Sequence, residues 1–171
     1  MNIDLLADNF TEGVYIDYKA FIAQNITPRY EFGYGLTYTT FNYSSLQSRV
    51  FTNVSTAQWP ANATIAQGGL PSLWDVIATV DVTVTNTGSF NASEVAQLYV
   101  NIPGGPAKVL RGYNKQGVDV GQSVGFHFDL TRRDLSAWDT VHQQWRLQSG
   151  NYPIYVGKSV LDIQLTGSLQ I

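Results

Sequence analysis

The stretch WDVIATVDVTVTN, residues 74–86, carries the clearest structural pattern in the chain, because apolar and polar side chains alternate along it. Alternate side chains of a β-strand point to opposite faces of a sheet, so the pattern predicts a long strand with one buried face. The residues predicted to share the buried face are Trp74, Val76, Ala78, Val80, Val82 and Val84. Turn-forming residues at 86–89 predict where this strand ends.

Further short segments with strand character lie on both sides of this stretch. The predicted strands cover residues 43–50, 96–102, 109–113, 124–130, 145–147, 152–156 and 161–165. Seven or eight short strands without interleaved helices predict an all-β antiparallel sandwich of immunoglobulin-like type. Within the second of these segments, Gln97 and Tyr99 are predicted to face outward, and Glu94 just before it to face solvent.

One helical turn is predicted after residue 130. Thr131 and Asp134 have the spacing of a capping box, in which each side chain bonds the other's backbone amide. Leu135 and Trp138 are three residues apart, so they would share one face of a helix. The sequence therefore predicts that Trp138 anchors this turn in the core.

Two segments lack a regular strand pattern. Residues 1–42 form an aromatic arm, in which Pro28 and the Gly33-Tyr34-Gly35 turn interrupt any regular element. So many aromatic side chains are not left in water, and we expect the arm to pack on the sandwich, on another chain or on a second copy. Residues 52–73 are predicted to form a long exposed loop between the first two strands.

Composition excludes several classes of function. The net charge is −3 and the cationic residues are scattered, which excludes an electrostatic nucleic-acid site. There is no cysteine, so disulfides, thiolate metal sites and cysteine nucleophiles are excluded. No apolar run reaches the ~20 residues of a membrane span. The N-terminus has no signal-peptide character, so a secreted chain would need its signal in a longer parent.

Sequons favour secretion all the same. The chain has six Asn-x-Ser/Thr triplets without a central proline, and each is a candidate N-glycosylation site. They begin at Asn9, Asn25, Asn42, Asn53, Asn62 and Asn91. We expect an extracellular glycoprotein, with chance occurrence in an Asn- and Thr-rich β protein as the alternative.

Several longer motifs follow one another along the chain: FTEGVYIDY at 10–18, PRYEFGYGLTYTTF at 28–41, LWDV at 73–76, VTNTG at 84–88, EVAQLYV at 94–100, LRGY at 110–113, LTRRDLS at 130–136 and YVG at 155–157. In order and spacing they resemble the C-terminal part of family 3 glycoside hydrolases from fungi, β-glucosidases above all. The first two resemble the end of the family's α/β-sandwich domain, and the others resemble its fibronectin type III-like domain. One departure is Ile22 after Phe21, where the family usually has an aspartate.

The resemblance implies a chain without its own catalytic site. It places the family's nucleophile in a barrel domain and its acid/base in the α/β-sandwich domain, both upstream of Met1. Among the thirteen acids of this chain, Asp129 and Asp134 flank the capping turn and could approach each other, but Asp134 is already needed as a cap. His127 is predicted to lie on the polar face of its strand, solvated rather than catalytic. The sequence accordingly predicts no catalytic, cofactor-binding or metal-binding residues in this chain.

Two functions remain at this stage. In the first, residues 43–171 form a structural accessory module that supports the catalytic domains of a parent glycoside hydrolase, and residues 1–42 join the two. In the second, exposed aromatics adsorb to polysaccharide or lignin, with Trp59 in the loop as the candidate contact, since sugar rings stack on exposed indoles. An independent hydrolase is the least favoured alternative. Whether the parent is a β-glucosidase or a β-xylosidase stays open.

Overall fold

A computed structural model describes residues 10–171, and nearly all of the regular structure in that range is β-strand. A short helix, α1 (Tyr18–Ala23), precedes the strands, and a 3-10 turn (Pro71–Trp74) lies between the first and second strands. The strands are β1 (Phe41–Val50), β2 (Val76–Asn86), β3 (Ala92–Val100), β4 (Val109–Val118), β5 (Ser123–Thr131), β6 (Ser136–Asp139), β7 (Gln144–Leu147), β8 (Asn151–Gly157) and β9 (Ile163–Gln170). No helix within residues 10–171 is long and apolar enough to cross a bilayer.

The strands form two main sheets that enclose one core. One sheet has the order β1-β2-β5 and the other the order β4-β3-β8-β9, with every pair antiparallel. A separate hairpin pairs β6 with β7. The core cluster draws buried side chains from both sheets, such as Val80 and Phe128 from the first and Leu98 and Ile154 from the second. The predicted antiparallel sandwich is therefore confirmed.

Strand β2 lies at the centre of the first sheet, as its alternating sequence predicts. Val80 and Val84 are fully buried, and Val80 pairs with Phe128 of β5. Trp74 does not share this face, because it lies in the 3-10 turn with half of its surface exposed. The pairing of β2 with β5 shifts between Val76 and Ala78, so alternation cannot be extended back to the tryptophan.

The turn after β5 makes the predicted capping-box bonds without forming a helix. The amide of Thr131 donates to Oδ2 of Asp134 at 2.9 Å, and the amide of Asp134 donates to Oγ1 of Thr131 at 3.3 Å. The chain then enters β6 directly, which is the strand that the sequence did not predict. The helical turn that would have placed Leu135 and Trp138 on one face does not form. Leu135 lies in the turn before β6 and is fully buried, whereas Trp138 lies within β6 and is 46% exposed, so the prediction of Trp138 as a core anchor is wrong.

Hydrogen bonds fix the backbone of residues 52–73 to the neighbouring strands. The buried guanidinium of Arg132 donates to the carbonyls of Ser55 and Ala57. The amide of Leu147 in β7 donates to the carbonyl of Gln58 at 2.9 Å. Most side chains of the loop are exposed, but its backbone is held against the β6–β7 hairpin.

Candidate functional site

The aromatic arm docks on the second sheet through Tyr18, which projects from α1. Its ring stacks on Phe32 with 4.3 Å between centroids and meets Tyr99 edge-on at 6.3 Å. Its hydroxyl accepts a hydrogen bond from the amide of Leu110 at 3.0 Å. One aromatic side chain of the arm is thus fixed by both stacking and a polar contact with the sandwich.

Gly33 allows the arm to approach β3 closely. The side-chain amide of Gln97 donates to the carbonyls of Gly33 at 2.9 Å and Lys158 at 2.5 Å, and Tyr99 donates its hydroxyl to Gln97 Oε1 at 2.6 Å. A Cβ atom on Gly33 would lie 2.1 Å from Gln97 Oε1, and its φ of 81° is a left-handed value that favours glycine. The backbone of the arm is therefore pressed against this amide.

This docking corrects the predicted outward face of β3. Gln97 and Tyr99 are both buried, because the arm covers the face that alternation assigned to solvent. Further contacts extend the docked region: Ser159 donates to the carboxylate of Glu31 at 2.8 Å, and Thr39 donates to Asn86 Oδ1 at 2.6 Å. The expected packing of the arm on the sandwich is present over the described residues.

The arm also exposes many large hydrophobic side chains to solvent. We call the ten large hydrophobic side chains that it exposes the outward face: Phe10, Val14, Tyr15, Ile16, Phe21, Ile26, Tyr30, Tyr34, Leu36 and Tyr38. Leu36 is 88% exposed and Tyr38 is 93% exposed. Phe90 borders the same hollow as Leu36 and Tyr38, so the sandwich extends the surface. So many large hydrophobic side chains exposed within one short segment are typical of a region that contacts another protein.

Glu94 is buried rather than solvated, which overturns its sequence-based placement. It shares the inward face of β3 with Ala96 and Leu98, and it accepts a hydrogen bond of 2.7 Å from the hydroxyl of Tyr43 in the facing sheet. Burial raises the pKa of Glu94, and the bond from Tyr43 and the charge of Lys158 oppose that rise. Burial also raises the pKa of the Tyr43 hydroxyl.

Asp129 and Asp134, the two acids that flank the turn after β5, each bond a different neighbour. Asp129 contacts Nε2 of His127 at 3.1 Å, and Asp81 contacts Nδ1 of the same ring at 2.6 Å. These two carboxylates raise the pKa of His127, with the bond to Asp81 as the main cause. Asp134 caps the turn at Thr131 instead. His127 is exposed on its strand, as predicted. Within residues 10–171 no three His, Cys, Asp or Glu side chains group as a metal site.

A second exposed aromatic site lies between the 52–73 loop and the β6–β7 hairpin. Trp138 and Trp145 pair across the hairpin and meet edge-to-face, with 5.5 Å between ring centroids. The guanidinium of Arg133 lies 4.7 Å from the Trp145 centroid and 5.6 Å from that of Trp74. We call the hollow of ≈ 380 Å³ beside these rings the tryptophan cleft; its lining includes Asn62, Leu70, Leu73, Trp138, Gln144 and Trp145.

The structure places the predicted site residues as follows. Trp59 is half-buried and its ring packs at a tilt against that of His142, with 4.7 Å between centroids, so it exposes less than Trp74 or Trp138. Its contact with a polymer stays a prediction. The sequon asparagines within the described residues are all exposed: Asn25, Asn42, Asn53, Asn62 and Asn91. Asn9 lies outside the described residues. Occupancy of each sequon stays a prediction.

Comparison with known proteins agrees with the motifs. Residues 94–160 match the fibronectin type III-like domain. The probable beta-glucosidase M of Aspergillus flavus is 54% identical over 96% of this chain, which covers 21% of that protein. The crystal structure of beta-D-glucoside glucohydrolase from Trichoderma reesei superposes with a TM-score of 0.89 at 47% identity, covering 95% of this chain and 23% of that one. A family 3 glycoside hydrolase β-glucosidase from Neurospora crassa gives 0.83 at 29% identity, covering 94% and 28%.

The chain therefore contains a fibronectin type III-like domain, the class of sandwich that the strands and motifs predict. It is homologous, over nearly all of its length, to the C-terminal region of fungal β-glucosidases of glycoside hydrolase family 3. The chain spans about a fifth of the length of the curated relatives that it matches.

Proposed function

We propose that this chain is a non-catalytic accessory module that supports the catalytic domains of a secreted family 3 β-glucosidase. In this proposal, residues 43–171 are the accessory sandwich, and residues 1–42 are the part of the neighbouring domain that joins it. The observation that carries the proposal is the outward face of the arm. Its exposed side chains belong to a backbone that is already fixed on the sandwich by Tyr18 and Gly33.

A fixed apolar surface is suited to permanent contact with a folded partner. Because the arm is ordered before it meets that partner, little conformational entropy remains to be lost on association. The relatives are about five times as long as this chain. In a protein of that length, the remaining domains would lie next to the arm and would be its natural partner. Self-association over the same surface is the alternative.

Catalysis by the chain itself is not supported by the arrangement of its acids. Retaining glycosidases hold two carboxylates ~5 to 5.5 Å apart across the scissile bond. Here Asp134 serves as a cap, Asp129 contacts a histidine and Glu94 lies in the core. We expect no release of p-nitrophenol from aryl β-glucoside or β-xyloside between pH 3 and 8. Turnover that disappears when one Asp or Glu is replaced would contradict the proposal.

The docking role can be tested by complementation. The upstream catalytic domains of a family 3 β-glucosidase would be produced without this segment, and binding of the chain would be measured by calorimetry. The double variant Leu36→Asp/Tyr38→Asp should lose binding while its melting temperature stays unchanged, because both side chains are almost fully exposed. Val141→Asp is the matched control, since Val141 is 85% exposed in the β6–β7 turn, outside the arm.

Each result separates the alternatives. Unchanged binding by the double variant would contradict docking through the outward face. Self-association would be established instead if the wild-type chain forms a dimer, the double variant is a monomer, and neither binds the catalytic domains.

Adsorption to polysaccharide or lignin remains the second candidate. The structure favours Trp74 and Trp138 over Trp59 as its contacts, because they are the more exposed indoles.

A further inference from the structure

We propose that the tryptophan cleft is occupied by the first sugars of an N-glycan carried by Asn62, so that the chain covers this apolar surface with its own carbohydrate. The inference requires passage through the secretory pathway, and to that extent it rests on the proposed function. It does not depend on the docking of the arm.

The cleft has the form of a binding site. Its volume of ≈ 380 Å³ lies within the ~300–1,000 Å³ typical of small-molecule sites. Leu73 is 3% exposed and forms apolar lining, while the ring of Trp138 remains 46% exposed. Large apolar side chains in such a hollow are in water unless something covers them.

The cleft is held in shape by contacts among its lining residues and with their neighbours. Arg133 lies against the ring of Trp145, and the edge-to-face contact with Trp138 fixes the angle between the two indoles. The loop that supplies the opposite wall is held just before Pro60, where Arg132 bonds Ser55 and Ala57 and the amide of Leu147 bonds Gln58. A ligand would therefore meet preformed walls, which lowers the entropic cost of binding.

The chemistry of the lining matches a pyranose ring. A sugar has a face of C–H groups, which packs on an indole, and a rim of hydroxyl and acetamido groups, which forms hydrogen bonds. The tryptophans supply the aromatic surface, and Gln143 and Gln144 in the lining carry side-chain amides that can donate and accept hydrogen bonds, although the nitrogen of Gln143 already donates one to the carbonyl of Thr140 at 2.7 Å. The lining thus fits N-acetylglucosamine, the sugar that an Asn-x-Ser/Thr sequon carries first.

The sequon is itself part of the wall, which identifies the occupant. Asn62 lines the cleft, its side chain is exposed, and Asn62-Ala63-Thr64 has the acceptor pattern. A glycan attached there is tethered beside the tryptophans at an effective concentration of order millimolar. Weak stacking that would not retain a free sugar is then sufficient to hold the attached one.

Site-resolved oxidation tests the proposal. The chain would be secreted from a fungal host, glycopeptides mapped, and hydroxyl-radical footprinting read by mass spectrometry. Asn62→Gln and Thr64→Ala both abolish the sequon, and the second retains the asparagine. In both variants, oxidation of Trp138 and Trp145 should rise several-fold over the glycosylated chain. Asn53→Gln is the matched control from the same loop, and Trp74, exposed but outside the cleft lining, is the internal reference.

The outcomes are distinct. Protection of both cleft tryptophans, lost with the Asn62 sequon and retained in Asn53→Gln, supports the proposal. An unmodified Asn62 in the secreted chain overturns it, as does a glycan whose removal leaves tryptophan oxidation unchanged. Binding of β-glucan by the glycosylated chain, abolished in Trp138→Ala, would also overturn it, because the cleft would then be open to external polymer.

Discussion

The outward face of the arm and the tryptophan cleft both leave aromatic side chains in water, but they differ in shape and in neighbours. The outward face projects from a segment that is fixed only along its inner side, by contacts such as Tyr18 with Phe32. The cleft is concave, its two tryptophans pack on each other, and a sequon lies in its wall. A projecting apolar surface suits a protein partner, whereas a walled hollow suits a small ligand such as a sugar.

Asn25 makes this comparison sharper, because it places a sequon on the arm as well. Its side chain is exposed in the same hollow as Phe21 and Ile26 of the outward face. A glycan on Asn25 would keep a neighbouring domain away from that part of the arm. If the arm contacts a neighbouring domain and the tryptophan cleft does not, glycan occupancy should be high at Asn62 and absent at Asn25.

The largest expected effect distinguishes the core from the cleft. Leu135→Ala should lower the free energy of unfolding by about 2 to 5 kcal/mol, because it removes a fully buried leucine. Trp138→Ala, three residues later, should cost less than half as much, since nearly half of its side chain is already in water. Chemical denaturation of both variants measures the difference. Equal losses would show that Trp138 supports the core and is not available to a ligand.

The next effect concerns the attachment of the arm. Gly33→Ala should lower the free energy of unfolding by about 1 to 3 kcal/mol. The alanine would have to keep a strained left-handed backbone conformation, and its Cβ would collide with the side chain of Gln97. Hydrogen exchange should become faster along residues 18–34 and remain slow in β2. Gly35→Ala is the control, because a Cβ there meets no atom within 4 Å. Unchanged exchange in the Gly33 variant would show that the arm is held elsewhere.

A smaller effect should appear in the pH dependence of stability through Glu94. Burial raises the folded-state pKa of this carboxyl above its ordinary value of 4.5, so the folded chain binds the proton more tightly than the unfolded chain does. The resulting stabilisation is complete below pH 4.5 and is lost as the pH rises through the folded-state pKa. Glu94→Gln should remove this slope in denaturant titrations. The same slope in wild type and variant would contradict the assignment.

The smallest effect is expected at His127, which lies in neither aromatic site. Its two aspartate neighbours raise its pKa, so they stabilise the fold below pH 6.5 and that gain is lost as the pH rises through the folded-state pKa. Because all three side chains are more than half exposed, the gain should stay below ~1 kcal/mol. His127→Gln should therefore lower the melting temperature slightly at pH 5 and leave it unchanged at pH 9. A large loss at pH 9 would show a structural role instead.

Local patterns predicted much of this molecule. Alternation located the strands of the sandwich, including the buried valines of β2, and the Thr131–Asp134 spacing predicted a cap that does form. The motifs predicted the family resemblance. Local periodicity failed at Trp138, because the helical turn that would have placed it on the same face as Leu135 does not form and Trp138 lies in the β6–β7 hairpin instead. The signal for Glu94 was present, since it alternates in step with Ala96 and Leu98, but a carboxylate at that position suggested solvent.

The sequence by itself determined which side chains share a face within the regular strands and how much aromatic surface the arm carries, because strand periodicity and composition are local properties. Only the tertiary structure decided what covers each face. The arm buries Gln97 and Tyr99, Tyr43 from the opposite sheet provides the partner that lets Glu94 lie in the core, and loop and hairpin together place Asn62 beside two tryptophans. These contacts join residues far apart in the chain, and no periodicity within one segment contains them.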